Sequence, residues 1–107
     1  MKYLMMVCTG TDFVDPGFLD PEPWIKEVTE RGIRVTGDRL RPSTDATTVR
    51  VRNGETLVSD GPYAETKEQM GGFDILECAD LDEAIEVASK HPLAPYGMLE
   101  LRPFWEM

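Results

Sequence analysis

The sequence predicts an α+β fold: a ferredoxin-like antiparallel sheet with two helices on one face and an inserted β-hairpin. Two segments repeat their apolar residues with the period of a helix, and the other patterned segments alternate as strands do. Their order is strand, helix, strand, hairpin, strand, helix, strand, which makes two strand–helix–strand halves around a hairpin. No repeat or linker interrupts the 107 residues, so we expect one domain over residues 1–107.

The first strand is predicted to be covered on both faces. Apolar side chains fill both alternating sets of residues 2–8, with Tyr3, Met5 and Val7 on one side and Leu4, Met6 and Cys8 on the other. Because both helices lie on one face, the second face needs another cover. We expect a second copy of the chain there, which makes the protein a homodimer through the open sheet face.

The first helix is expected to start after Asp20, an N-cap residue followed by Pro21 in the first position, and to stop at Gly32. Its core side carries Trp24, Ile25 and Val28. A strand over residues 33–40 follows.

The inserted hairpin has the clearest local signal in the chain. Residues 47–52 alternate apolar and polar side chains, and Asn53-Gly54 follows them directly. Because a type I′ turn requires positive φ at both central residues, this pair predicts a tight turn between two strands.

The second helix follows a strand over residues 72–78. Asp80 is predicted as its N-cap and Glu83 completes a capping box, whereas Pro92 prevents its continuation. We predict that its core side is formed by Leu81, Ala84, Ile85 and Ala88. The last strand is expected over residues 98–102.

Composition argues against several functions. With 11 basic and 20 acidic residues the net charge is −9, so a nucleic-acid ligand is not expected. No apolar run is long enough to cross a bilayer, and the N-terminal apolar stretch is too short for a signal peptide. We therefore expect a soluble, cytoplasmic protein.

The two cysteines and the single histidine do not indicate a metal site. Cys8 and Cys78 each lie in a strand, where we expect them to be small buried side chains, too far apart to form a disulfide. One histidine and no close ligand spacing predict neither a metal nor another cofactor.

The segment DGPYAETKEQMGGF, residues 60–73, joins the hairpin to the next strand. Gly61-Pro62 and Gly71-Gly72 are turn-forming pairs, and the second pair predicts a bulge or a close approach of another backbone. The segment resembles the signature of the DGPF-domain branch of the YCII-related proteins, with Tyr63 where that family has Phe. The resemblance extends from Arg41 onward.

The resemblance implies that two such sheets pack face to face as a dimeric α+β barrel in the cytoplasm. It does not imply a substrate, because the family is largely uncharacterised biochemically. Its members are commonly encoded beside alternative sigma factors, which implies a regulatory role. The wider group carries a His and an Asp suggested as catalytic, with the His on the first helix, and this chain has no His there.

Three residues are candidates for acid–base chemistry. Asp60 either caps its own turn or acts as a general base beside the Tyr63 hydroxyl. His91 either ends the second helix, where the dipole favours a cation, or serves as an acid–base group at a pocket mouth. Candidate ligand-binding residues are Lys67, Glu65 and Tyr96, although Lys67 and Glu65 could equally form a solvated ion pair.

Two function classes follow. The first is a homodimeric module that binds a metabolite or a protein and has a regulatory role. The alternative is a cofactor-independent enzyme of the isomerase or lyase type that uses Asp60, Tyr63 and His91 for proton transfer. The lack of an unambiguous acid–base pair favours the binding module.

Overall fold

A computed structural model of the chain describes residues 1–10, 13–61 and 69–106. It contains six strands, two α-helices and one 3₁₀ turn. In chain order these are β1 (Lys2–Thr9), α1 (Glu22–Glu30), β2 (Arg34–Arg39), the 3₁₀ turn (Ser43–Asp45), β3 (Thr47–Arg52), β4 (Glu55–Asp60), β5 (Gln69–Glu77), α2 (Leu81–Ser89) and β6 (Met98–Pro103). None of the helices in these ranges is long and apolar enough to span a membrane.

The main sheet has the strand order β2-β5-β1-β6, and every neighbouring pair is antiparallel. The two central strands, β1 and β5, belong to different halves of the chain, so the halves interlock within one sheet. This is the ferredoxin-like arrangement, and the prediction of an α+β fold with an inserted hairpin is confirmed.

Both helices pack on one face of the sheet and enclose the core. The fully buried side chains of β1 and β5 there include Met5 and Leu76, and Val28 and Val87 reach them from the two helices. The indole N–H of Trp24 donates to the Val87 carbonyl oxygen at 3.0 Å, which links α1 to α2. The helices are therefore held to each other as well as to the sheet.

The start signal of α2 acts as predicted, whereas the N-cap of α1 is Pro21 and not Asp20, so that prediction is wrong by one residue. The Asp20 carboxylate accepts from the Glu22 N–H at 3.1 Å, although α1 begins one residue later than expected. Asp80 caps α2 by accepting from the Glu83 N–H at 2.9 Å, and the Glu83 carboxylate accepts in return from the Ala79 N–H. The capping box thus reaches one residue further back than its usual form.

The predicted core side of α2 is partly wrong. Ala84 and Ala88 are buried as expected, but Val87 is buried with them, whereas Leu81 and Ile85 are 50% and 51% exposed. The helix is rotated so that its two small alanines face the sheet, which lets the helix approach closely with Val87 between them. Leu81 and Ile85 lie together on the outer surface because they are four residues apart.

The second face of the sheet carries apolar side chains that no other described segment, in residues 1–10, 13–61 and 69–106, covers. Leu4 pairs with Ile75 and Met6 with Phe73, and all four are half-buried. The body of the chain measures only 19 Å in its shortest dimension, which suits one sheet and one layer of helices. The helices cover the first face of β1 as expected, and the cover of its second face by another copy of the chain stays a prediction.

The hairpin forms a separate two-stranded sheet. Asn53 and Gly54 have φ values of 53° and 76°, as a type I′ turn requires, so that prediction is confirmed. Apart from the half-buried Thr48, every residue of β3 and β4 is exposed. The hairpin therefore lies outside the hydrophobic core.

The Gly71-Gly72 pair occupies a bulge, as the sequence predicts. The register of β1 against β5 changes between Val7, opposite Gly72, and Cys8, opposite Met70, so Gly71 has no opposite residue on β1. A Cβ on Gly72 would lie 3.1 Å from the Asp38 carbonyl oxygen, a close approach of the β2 backbone. Cys8 and Cys78 are buried near opposite ends of the sheet, and neither is in a disulfide.

Candidate functional site

A cavity of about 720 Å³ lies between the helix-covered face of the sheet and the ends of the two helices. Its floor is formed by β1, β2 and β5, and the loop before α1 and the turn after α2 form its rim. This volume is within the range of small-molecule sites in proteins.

An ion pair that is largely shielded from solvent lies in the floor of the cavity. Asp74 of β5 is only 6% exposed, and its Oδ1 accepts from Arg34 Nε of β2 at 2.7 Å. Burial raises the pKa of Asp74 above its ordinary value of 3.8, and the hydrogen bond from Arg34 opposes this shift without cancelling it. Asp74 is therefore a stronger proton acceptor than an exposed aspartate.

Gly37 provides the space for this carboxylate. It lies opposite Asp74 in the β2–β5 register, and a Cβ on Gly37 would be 2.2 Å from Asp74 Oδ1 and 2.6 Å from the Phe73 carbonyl oxygen. Because real Cβ contacts are never so short, a larger side chain would displace Asp74 or separate the strands.

His91 lies immediately after α2 and lines the cavity. Its Nδ1 accepts from the Leu93 N–H at 3.1 Å, so in the neutral ring the proton is on Nε2. The ring meets that of Trp24 edge to face, with centroids 4.8 Å apart. Burial lowers the pKa of His91 below 6.5, so the expected role as a helix-end cation does not apply at neutral pH.

The remaining walls are largely apolar. Trp24 and Ile25 of α1 face the floor, and Phe13 and Phe18 contribute from the preceding loop. That loop is shaped by Asp15, whose Oδ1 accepts from the Gly17 N–H at 2.8 Å. The cavity can therefore hold a flat organic molecule against aromatic rings.

Of the predicted site residues that the structure describes, His91 lines the cavity and the others do not. Pro92 and Leu93 of the predicted pocket mouth line it too. Asp60 is exposed at the end of β4 and is not among the described cavity residues, and the exposed Tyr96 is likewise outside them. Tyr63, Lys67 and Glu65 lie outside the described residues, so their roles stay predictions.

Sequence reasoning missed Arg34, Gly37 and Asp74. A usable signal was present, because Asp74 falls in phase with Leu76 on the helix-covered side of an otherwise apolar strand. A charged residue at such a position must be paired, and its partner lies on the neighbouring strand. In residues 1–10, 13–61 and 69–106, no three His, Cys, Asp or Glu side chains converge in a way that could hold a metal.

The fold is similar to a solved structure of 5-chloro-2-hydroxyhydroquinone dehydrochlorinase (TftG) from Burkholderia phenoliruptrix AC1100 in complex with 2,5-dihydroxybenzoquinone. The match covers 100% of this chain and 96% of that chain, with a TM-score of 0.51 and 14% sequence identity. At this identity the likeness shows the fold alone.

Sequence comparison gives a relative of unknown activity. The uncharacterized protein R00369 of Rhizobium meliloti (strain 1021) is 51% identical over 67 residues, which is 61% of this chain and 54% of the relative. The match thus spans about half the length of that relative. The family model of the YCII-related domain matches residues 1–107. The chain therefore belongs to the family of YCII-related domain proteins.

Proposed function

We propose that this YCII-related protein is a cytoplasmic homodimer that binds a small organic metabolite in the cavity between its sheet and its helices. One observation carries the proposal: an apolar cavity of about 720 Å³ is built around an Arg34–Asp74 ion pair that is largely shielded from solvent. An ion pair in such a place adds little to stability compared with well-packed apolar side chains. Its presence is better explained by a ligand that uses it.

A thermal-shift screen with a metabolite library tests the binding proposal. A ligand at a hundred times its dissociation constant stabilises the folded state by about 2.7 kcal/mol, which raises the melting temperature measurably. Hits should weaken when Trp24 is changed to Ala, whereas the same change at the strongly exposed Trp105 should leave them unchanged. A library that contains no stabilising compound would favour a protein partner over a metabolite.

The dimer is supported by the uncovered sheet face. Leu4, Met6, Phe73 and Ile75 form an apolar centre on that face, and an exposed apolar surface of this kind is typical of subunit contacts. Both faces of the sheet would then be covered, as the dimeric α+β barrel implied by the family requires.

Light scattering at micromolar concentration tests the dimer. Ile75→Glu places a charge on the uncovered face and should give a monomer. Ile85→Glu makes the same change on the outer surface of α2 and should leave the dimer intact. A wild-type monomer, or an Ile85→Glu monomer beside an Ile75→Glu dimer, would contradict a contact through the sheet face.

The second candidate function is cofactor-independent proton transfer of the isomerase or lyase type. The raised pKa of Asp74 favours it, because a carboxylate with such a pKa is a better general base. His91 is less suited to act as the base, since its Nδ1 already accepts from Leu93. Asp60 and Tyr63 remain predicted participants. The similar fold of a dehydrochlorinase is compatible with this class.

Proton exchange distinguishes an enzyme from a binding module. The tightest ligand from the screen is incubated with the protein in D₂O, and its C–H signals are followed by ¹H NMR. Loss of one signal in the presence of wild-type protein, and its retention with Asp74→Asn, would indicate catalysis. Unchanged signals with a ligand that is demonstrably bound would favour the binding module.

A further inference from the structure

Asp74 is the one buried charged or polar residue among the residues that the structure describes. Its neighbours on the same side of the sheet are fully buried and apolar, with Met5 opposite it and Leu76 two residues along β5. An apolar residue at position 74 would suit this environment better, because transferring a carboxylate from water into the interior is costly. The position therefore has a requirement other than packing.

Arg34 and Gly37 fix the position of this carboxylate. Arg34 Nε holds Oδ1 at 2.7 Å, which keeps Asp74 oriented and favours its charged form. Gly37 leaves open the space that a Cβ would share with Oδ1. Both residues line the same cavity as Asp74, so the carboxylate borders a cleft that is partly open to solvent.

The charge of the cavity restricts the ligand. Its described lining has three carboxylates, on Asp15, Glu22 and Asp74, and two guanidinium groups, on Arg34 and Arg39. Asp38 also borders the cavity, but it pairs with Phe73, so its side chain lies on the other face of the sheet. An anionic ligand would meet this excess of negative charge in addition to the net charge of −9 of the chain. The aromatic and aliphatic walls favour a flat ring, so the ligand is expected to be planar and uncharged.

We propose that Asp74 recognises a neutral planar molecule that carries a ring hydroxyl, by accepting a hydrogen bond from that hydroxyl. Arg34 and Gly37 act as positioning residues that fix the carboxylate for this contact. The inference rests on the proposed function, since it requires that the cavity binds a small molecule. A hydrogen bond to a charged acceptor is stronger than one between neutral groups, so the hydroxyl becomes the main determinant of specificity.

Three naphthalene probes test the proposal by fluorescence titration of the intact protein. They are 2-naphthol, which has the hydroxyl, 2-methoxynaphthalene, which has the same ring without the donor, and 2-naphthoate, which is an anion. We expect 2-naphthol to bind at least about tenfold more tightly than 2-methoxynaphthalene, the factor expected for one charge-assisted hydrogen bond. The anionic 2-naphthoate should bind most weakly.

Variants then identify the acceptor. Asp74→Asn removes the charge and Gly37→Ala displaces the carboxylate without removing it, so both should reduce the preference for 2-naphthol over its methyl ether. Asp82→Asn is the matched control, because it removes the charge of an exposed aspartate outside the described cavity lining, and it should keep the preference. Circular dichroism checks that each variant is folded, and equal binding of the two probes by wild-type protein would overturn the proposal even where a variant does not fold.

The outcomes separate this inference from the function on which it rests. Equal binding of 2-naphthol and its methyl ether would overturn the role of Asp74 and leave ligand binding in place. A preference that survives in Asp74→Asn and Gly37→Ala would do the same. If no probe binds and the metabolite screen also gives no stabilising compound, both proposals fall.

Discussion

The body of the molecule, meaning the four-stranded sheet with its two helices, and the hairpin are both built from antiparallel strands but differ in what surrounds them. In the body, β1 and β5 lie at the centre of a four-stranded sheet under two helices, and Met5 and Leu76 are inaccessible to solvent. In the hairpin, β3 and β4 pair only with each other, and Val49 is 60% exposed. Isolated two-stranded hairpins are marginally stable in water, so the body must supply most of the folding free energy.

The comparison also separates two kinds of apolar surface. The valines Val49, Val51 and Val58 share one face of the hairpin, since Val49 pairs with Val58 and alternation places Val51 on the same side. They contribute little to the monomer, yet they form a surface that a second copy could cover. Substitutions in the body therefore report on the folded monomer, whereas substitutions in the hairpin test the proposed dimer.

The largest expected difference is between Met5→Ala and Val49→Ala. Removing the Met5 side chain leaves a cavity at the centre of the core and should lower the free energy of unfolding by about 2–5 kcal/mol. Val49→Ala removes exposed atoms and should change it by less than about 0.5 kcal/mol. Urea unfolding followed by circular dichroism, at a low protein concentration, measures both.

The effect of Val49→Ala on stability should also be measured at several protein concentrations. If Val49→Ala is harmless in dilute samples but destabilising in concentrated ones, the valine face of the hairpin is covered in the dimer. A cost at Val49 equal to that at Met5 in dilute samples would show that the hairpin is part of the monomer core, against the exposure described above.

The second largest effect on stability is expected at the N-terminus of α2. Asp80→Ala removes the carboxylate that accepts from the Glu83 N–H and should cost about 1 kcal/mol of stability. Asp82→Ala, in the first turn of the same helix, also removes a negative charge but should cost a few tenths of a kcal/mol, about the value of its interaction with the helix dipole. Thermal unfolding of the two variants in parallel gives the difference. Equal losses would assign the effect to charge rather than to the cap.

The third effect is confined to the hairpin. Gly54 has a φ of 76°, so Gly54→Ala places a Cβ in the left-handed region at a cost of about 1–2 kcal/mol. We expect hydrogen exchange of the β3 and β4 amides to accelerate roughly fivefold or more, while the amides of α2 in the same sample stay unchanged. Accelerated exchange in α2 as well would show that the two regions unfold together.

The sequence predicts strands in both regions equally well but does not predict their burial. Alternation and the Asn53-Gly54 turn identified the hairpin, and caps identified the helices, because these signals are local. The exposure of Leu81 and the burial of Val87 depend on how α2 is rotated against the sheet, which no local pattern specifies. Periodicity alone cannot distinguish an apolar face that packs inside the fold from one that stays exposed on the surface.

The candidate site likewise contains residues that local sequence signals identify and residues that they do not. His91 was identified because it is the single histidine and stands at a helix end, both visible in the sequence. The Arg34–Asp74 pair was missed because its members are 40 residues apart and meet only through the β2–β5 register. The register also places Gly37 opposite Asp74, so the need for a glycine there cannot be seen from the sequence alone. Contacts across strands are what sequence reasoning supplies least well.

The smallest effect expected in the body is a dependence of stability on pH through His91. Burial lowers the pKa of the folded ring below the unfolded value of 6.5, so the unfolded chain takes up a proton first as the pH falls. Stability due to this group is present above that value and declines as the pH falls below it, down to the folded pKa.

The His91→Gln variant should therefore lose less stability than the wild-type protein between about pH 7.5 and about pH 5.5, however stable the variant is at pH 7.5. Asp74 acts in the opposite direction because its folded pKa is raised, but it is present in both proteins and cancels in the comparison. Urea unfolding at the two pH values measures the difference in slopes. The hairpin has no histidine, so an equal slope in the variant would assign the pH dependence to the carboxylates and remove His91 from the explanation.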